Sequence, residues 1–225
     1  MKRGFTLIEL LICITIMSII AAILFPLFQR IKIQSSNAIS MSNIRQLGIA
    51  WKLYSQDHDD YVMNYITSDY NHWFGNSKSC ILDPYINIKK IKDPLSIYVN
   101  SPSYWVGYGY NGIFMCREKS NGLPEPINYS EIQNPSQTVV FAPVAGLFRV
   151  NSIEALYPVS ILYPPSLSFP TFHARYNGKA PVLWADLHTT NQQPIYLSKL
   201  NYKKYNLGYL DADSNLLTDE LFDLE

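Results

Sequence analysis

From Phe5 to Phe28 the chain reads FTLIELLICITIMSIIAAILFPLF, 24 residues with a single charge, Glu9. As a helix rising 1.5 Å per residue it is about 36 Å long, enough to cross a hydrocarbon core of roughly 30 Å with slight tilt. Lys2 and Arg3 precede it and Arg30 and Lys32 follow it, so flanking charge alone does not set its orientation. A secretory signal peptide is a poor fit, because its apolar stretch runs about 7 to 15 residues and ends at a small-residue cleavage site. A plain membrane anchor is the other simple reading. Against it stands Glu9, since an isolated carboxylate inside a bilayer costs roughly 2.5 to 3.5 kcal/mol. A positive partner at about 4 Å offsets that cost, with an attraction of about 4 kcal/mol at an effective dielectric near 20. No Lys or Arg follows Arg3 within the segment, so a free chain terminus is the natural partner.

The run KRGFTLIELLICITIMSIIAAILFP resembles the class III signal of type IV pilins and type II secretion pseudopilins. The matching features are a short basic leader, Gly, Phe, a Thr-Leu-Ile-Glu run and a Pro near the end of the apolar stretch. The resemblance implies cleavage between Gly4 and Phe5 by a membrane-embedded prepilin peptidase, and N-methylation of Phe5. It also implies that Glu9 neutralises the amine of an adjacent subunit during assembly. The implied partners are prepilin peptidase, other pilin or pseudopilin subunits, an inner-membrane assembly platform and the lipid bilayer. The implied location is the inner membrane with the head outside the cytoplasm, then a periplasmic or surface filament. Pro26 removes a backbone donor and crowds the carbonyl of Ala22, so a kink or locally melted turn is expected there. Thr15 and Ser18 are expected to bond back to the helix, and Cys13 to act as a small apolar residue.

Beyond Phe28, Met41, Ile44, Leu47 or Gly48, Trp51 and Tyr54 recur at spacings of three and four between polar residues. That pattern predicts one helix from Phe5 to about Gln56, apolar all round in its first half and amphipathic in its second. Asp57, Asp59 and Asp60 crowd the end at which the helix dipole disfavours acids, and they mark the stop. The expected organisation is a leader at 1–4, a transmembrane and assembly helix at 5–28, its amphipathic continuation at 29–60, and a β-rich head with long loops and an acidic tail at 61–225.

Short runs rich in β-branched and aromatic residues predict strands at Tyr104–Tyr110, Thr138–Ala142, Val182–Trp184 and Ile195–Leu197. The fold class is therefore α+β, a long helix packed on a small antiparallel sheet. Gly146 to Phe172, punctuated by four prolines, reads as a long irregular excursion, and Tyr65 to Ser79 as a loop. Four patches also resemble a bacterial branch of these proteins: NIRQLGIAWKLYSQDHDDY from Asn43, YGYN from Tyr108, NPSQTVVFA from Asn134 and RYNGKAPVLWADLH from Arg175. The last departs from the usual R-H-x-G-x-x-N-x-x-x-x-D-G-H at Tyr176, Pro181 and Leu187. Leu replaces a Gly suited to positive φ, so the turn after Asp186 is expected to be wider than in relatives.

Composition excludes more than it assigns. With 18 basic and 18 acidic residues there is no net charge to gather nucleic acid, and none is predicted as a partner. The 17 tyrosines are accounted for by a thin head that buries ring area and keeps hydroxyls wet, with a carbohydrate-binding surface as the sharper alternative. Cys80 and Cys116 are candidates for a disulfide closing a loop of about 36 residues, and two buried thiols fit equally well. In the tail, Asp211, Asp213, Asn215 and Asp219 match positions one, three, five and nine of a calcium loop, but Leu216 and Phe222 stand where Gly and Glu are needed. No other cofactor is expected. The histidines are scattered and no catalytic motif is present; Asp186 and His188, with His173, could in principle form an acid/base or transition-metal set, but Asp186 is better read as bonding backbone donors in the turn. A filament subunit is the leading expectation, and a membrane-anchored extracytoplasmic binding module that does not polymerise is the alternative.

Overall fold

The structure is a computed structural model that describes residues 5–65, 73, 80–96, 106–118, 124–150, 153–167, 169–196, 201–211 and 219–222. One helix, α1 (Leu7–Asp57), runs unbroken for 51 residues. Thr6 caps its start in extended conformation. At the far end the N–H groups of His58 and Asp60 both close onto the Ser55 carbonyl, at 3.0 and 2.9 Å. Asp59 and Asp60 take the left-handed conformation, at φ 53° and 60°, and turn the chain away from the helix axis. The helix also passes through Pro26 without interruption, so the locally melted turn expected there does not form. The helical turns on either side carry the chain past the one missing donor.

The strands follow in order as β1 (Tyr108–Tyr110), β2 (Cys116–Glu118), β3 (Pro124–Pro126), β4 (Val139–Pro143), β5 (Gly146–Val150), β6 (Ile153–Tyr157), β7 (Phe172–His173), β8 (Ala180–Trp184), β9 (Thr189–Gln192) and β10 (Leu207–Gly208). The central sheet has the order β1-β4-β8-β9, antiparallel throughout. Two-stranded ribbons β2-β3, β5-β6 and β7-β10 accompany it. The arrangement is α+β, as the sequence predicts.

Alternation along β8 divides the interior in two. Leu183 and Ala185 join Ile44, Leu47 and Trp51 of α1 in one core, together with Tyr110 and Phe141. Val182 and Trp184 face a second core with Val139, Phe172, Leu162 and Phe222. A register shift between Val139 and Phe141 lets Val140 and Phe141 both enter the helix-side core, consistent with a β-bulge. The buried positions of α1 include many small residues: Ser36, Ser40, Gly48, Ala50 and Ser55. Small side chains let the backbone lie close to the sheet. A Cβ at Gly48 would sit 2.6 Å from a methyl of Leu183, so glycine suits this close approach.

Three strand expectations meet the sheet at β1, β4 and β8 with shifted ends. The start of the first, from Tyr104, falls in the stretch 97–105, outside the described residues. The fourth does not form a strand: Ile195 makes a single bridge to Tyr209, and 197 is not described. The irregular excursion expected at Gly146–Phe172 is corrected, because its first part is the regular β5-β6 hairpin, paired from Gly146↔Tyr157 to Val150↔Ile153. The prolines that suggested irregularity fall after it, from Pro158 onward. Of the loop expected at Tyr65–Ser79, only Tyr65 and Trp73 are described.

Candidate functional site

The apolar half of α1 is bare. Every large apolar side chain from Phe5 to Phe28 is at least 50% exposed, and the helix is long and apolar enough to cross a membrane by length and composition. Within it the Thr15 hydroxyl donates to the Leu11 carbonyl and Ser18 to Ile14, the back-bonding expected of both, and Cys13 is an exposed free thiol. Gly4 lies outside the described residues. Phe5 precedes the cap and is exposed.

Glu9 already has donors in its own chain. Its Oε2 accepts from the Thr6 backbone N–H at 2.8 Å and from the Thr6 hydroxyl at 2.7 Å, while the Glu9 N–H donates to Thr6 Oγ1. This is a reciprocal capping box, which satisfies two of the donors a helix start leaves free. The cap was not singled out in the sequence, although the Thr-x-x-Glu spacing is the signal that could have found it. The carboxylate therefore lies against the first peptide N–H after Phe5, one residue from the cleavage point that the resemblance implies. A neutral glutamine can accept the same bonds, so the cap needs the shape of the side chain and not its charge.

A second site ties the head to the exit of the bare segment. Asp93, fully buried, receives the Tyr176 hydroxyl at 2.7 Å and the Leu95 N–H at 3.0 Å on Oδ1, and the Ser40 hydroxyl of α1 at 3.1 Å on Oδ2. Arg175, its side chain 5% exposed, stands 3.5 Å from the same carboxylate and donates to the Val144 carbonyl. Tyr108 shares the Ser40 hydroxyl, and Asn43 donates to Lys92 O. Burial and the neighbouring Asp93 charge both push the Tyr108 and Tyr176 phenols up from their ordinary range, so these groups stay protonated donors. Buried His173, two residues before Arg175, is held down to about 3 by burial and by the guanidinium, and stays neutral. Asp93 and Ser40 were not singled out in the sequence. Tyr108 was, within the YGYN patch, as were Arg175 and Tyr176 within the hairpin signature. The placement of the last two depends on Asn177 and Gly178, at φ 54° and 76°, which close a tight turn between Tyr176 and Lys179.

The turn joining β8 to β9 holds one of the departures from the hairpin signature. It is tight in spite of Leu187, which takes φ 71° itself, with Leu187 N–H donating to Trp184 O at 2.9 Å and Trp184 N–H to His188 O at 3.1 Å. The Leu187 side chain packs against the helix-side core, which offsets the strain a Gly would avoid. Asp186 accepts the His188 N–H, the backbone role expected for it, and also meets the His188 ring. His173 is buried near Arg175, whereas Asp186 and His188 are exposed at this turn. Among the described residues no group of three His, Cys, Asp or Glu could hold a metal.

Cys80 and Cys116 are both buried free thiols, so the disulfide is not formed. Each has its own acceptor: Cys80 Sγ donates to the Trp73 carbonyl and Cys116 Sγ to Asn64 Oδ1 at 3.4 Å. Burial pushes both thiols up to about 12, which makes them inert. In the calcium set, Asp213 and Asn215 lie outside the described residues. Asp219 accepts from the Ser166 N–H at 3.0 Å and the Ser166 hydroxyl at 2.6 Å, an anchor for the preceding loop.

Residues 1–25 match the family described as the prokaryotic N-terminal methylation motif. This supports a class III prepilin-type signal, and the long apolar helix with a small antiparallel head is consistent with a pilin-like protein. Neither the curated proteins nor the solved structures contain a match to the chain.

Proposed function

We propose that the chain is a structural subunit of a type IV pilus-like or type II secretion pseudopilus filament. In this reading prepilin peptidase cuts after Gly4, Phe5 is N-methylated, and the subunit waits in the inner membrane with its head outside the cytoplasm. Assembly then moves the bare helix from lipid into the filament interior, among the helices of other subunits. The observation that carries the reading is the methylation motif at 1–25 running directly into a helix whose apolar half has no partner in the fold, while its second half is fastened beneath a sheet. Such subunits are structural, and no catalytic residue is assigned.

The mechanism turns on Glu9. Cleavage replaces the peptide bond before Phe5 with an amine one residue from the Thr6 cap, so the new positive charge arises close to the carboxylate. Glu9 can then keep its own cap and attract the amine of a neighbour, which aligns the two helices in register. The capping box favours a second reading as well, because a carboxylate satisfied within its own helix is tolerable in a simple anchor. That reading is a single-pass anchored binding module that does not polymerise. Mass spectrometry of the mature chain tests the processing step: the filament reading expects residues 1–4 removed and one methyl group on Phe5, and an intact Met1 or a start beyond Phe28 contradicts it.

A further inference from the structure

The head carries a cleft that the filament reading does not use. Its walls are the β5-β6 hairpin, the 163–171 segment and the 3₁₀ turn Asn201–Tyr205, and its volume is about 190 Å³. Gly146, Tyr157, Tyr163, Phe169, Thr171 and Tyr202 line it, and among the described residues its lining carries no charge.

All three walls are pinned. Tyr205 OH donates to Glu154 of β6 at 2.9 Å, which fixes the 3₁₀ turn to the hairpin. Ser166 is held twice by Asp219. The Thr171 hydroxyl accepts the Tyr163 N–H at 2.9 Å, and its carbonyl accepts the Ala145 N–H at 3.0 Å. At the hairpin base the Tyr157 ring lies over Gly146 so closely that a Cβ there would fall 2.3 Å from Cζ. The ring is thus seated on backbone, and 43% of Tyr157 and 67% of Phe169 remain exposed.

We propose that this cleft binds a single neutral sugar ring, a pyranose unit of a glycan chain. Exposed aromatic faces suit the apolar C–H face of a pyranose, and tyrosyl hydroxyls, each both donor and acceptor, suit its hydroxyl edge. The described lining is uncharged, which suits a neutral ring better than a uronic or sialic acid or a phosphate. The volume is below the roughly 300 to 1,000 Å³ of sites for drug-sized ligands, so it admits one ring and leaves the rest of the glycan outside. The proposal stands whether or not the subunit polymerises.

The test uses the full chain in a zwitterionic detergent, because an alkyl glycoside would compete for the site. Saturation-transfer NMR is run with methyl glycosides of neutral hexoses and N-acetylhexosamines, with methyl glucuronide and phenol as comparators. The proposal expects saturable binding of at least one neutral glycoside, with Kd on the order of 1 mM. Binding should weaken about tenfold or more with Tyr157→Ala and with Phe169→Ala, and should also weaken with Tyr163→Phe, which removes only a hydroxyl. Phe148→Ala changes an exposed ring of the same hairpin outside the lining, and binding is expected to persist. If Tyr157→Ala unfolds, the exposed Phe169→Ala decides alone. Absence of neutral-glycoside binding, a preference for phenol or glucuronide, or an affinity indifferent to Phe169→Ala overturns the proposal.

Discussion

Asp93 joins three parts of the chain that are far apart in sequence: Ser40 on the helix, Leu95 in its own loop, and Arg175 with Tyr176 in the hairpin signature. Removing one member of a buried ion pair costs about 3 to 5 kcal/mol, because the other charge is left uncompensated. Asp93→Ala is therefore expected to lower stability by about that amount in chemical denaturation, whereas a loss below about 1 kcal/mol would contradict the clasp. His173 sets a pH dependence of the same region. Its folded pKa is near 3 against an ordinary value of 6.5, so the unfolded chain takes up a proton first as pH falls. Its contribution is fully present above about pH 6.5 and is lost between there and about pH 3, by at most about 1.4 kcal/mol per pH unit. His173→Gln should flatten denaturation midpoints across that window. At the thiols, Cys80 and Cys116 are expected to resist labelling in native protein at neutral pH and to label once it is denatured. None of these pairings was legible in the sequence. Asp93 sits in a Lys-rich loop that looks solvated until the fold brings Arg175 over it, and the spacing of Cys80 and Cys116 says nothing of where their side chains point.

At the level of elements, the helix was legible end to end, since apolar run, amphipathic stripe and terminal acids each report on local sequence. What the stripe concealed was the size of the side chains beneath the sheet. Gly48→Ala is expected to destabilise by about 1 kcal/mol despite the better helix propensity of alanine. The penalty should shrink in a Leu183→Ala background, which makes room for the added methyl. Short strands were found where β-branched residues cluster, but β5-β6 was missed because the prolines just after it dominate the reading, and β2-β3 because Pro124-Glu125-Pro126 carries no strand signal. Long-range pairing, not local propensity, makes those ribbons. Leu187 teaches the same lesson in a turn, where core packing overrides the preference for glycine. The opposite face of α1 carries a second stripe: Ile31 and Ile49 are about five turns apart and point the same way, with Leu53 and Ile39 beside them, all exposed. In a filament this stripe continues the surface begun at Phe5. Ile49→Asp is expected to reduce filament yield while changing monomer stability by less than about 0.5 kcal/mol.

The whole molecule divides its labour along one helix. The lower half is left bare, the upper half is clasped to a sheet through Asp93, and the head beyond carries the aromatic cleft. That division follows from hydrophobic patterning, so the architecture was visible in the sequence while the cleft, built by three separate segments, was not. The filament reading adds one electrostatic requirement, a charged acid near the start of the helix, and the capping box makes it separable from helix capping. Glu9→Gln keeps the acceptor that Thr6 uses and removes only the charge. Filament yield of Glu9→Gln, measured against wild type at equal membrane levels of processed subunit, is the most direct test. A fall of about tenfold or more is expected, and a yield equal to wild type would contradict a role for the charge in assembly.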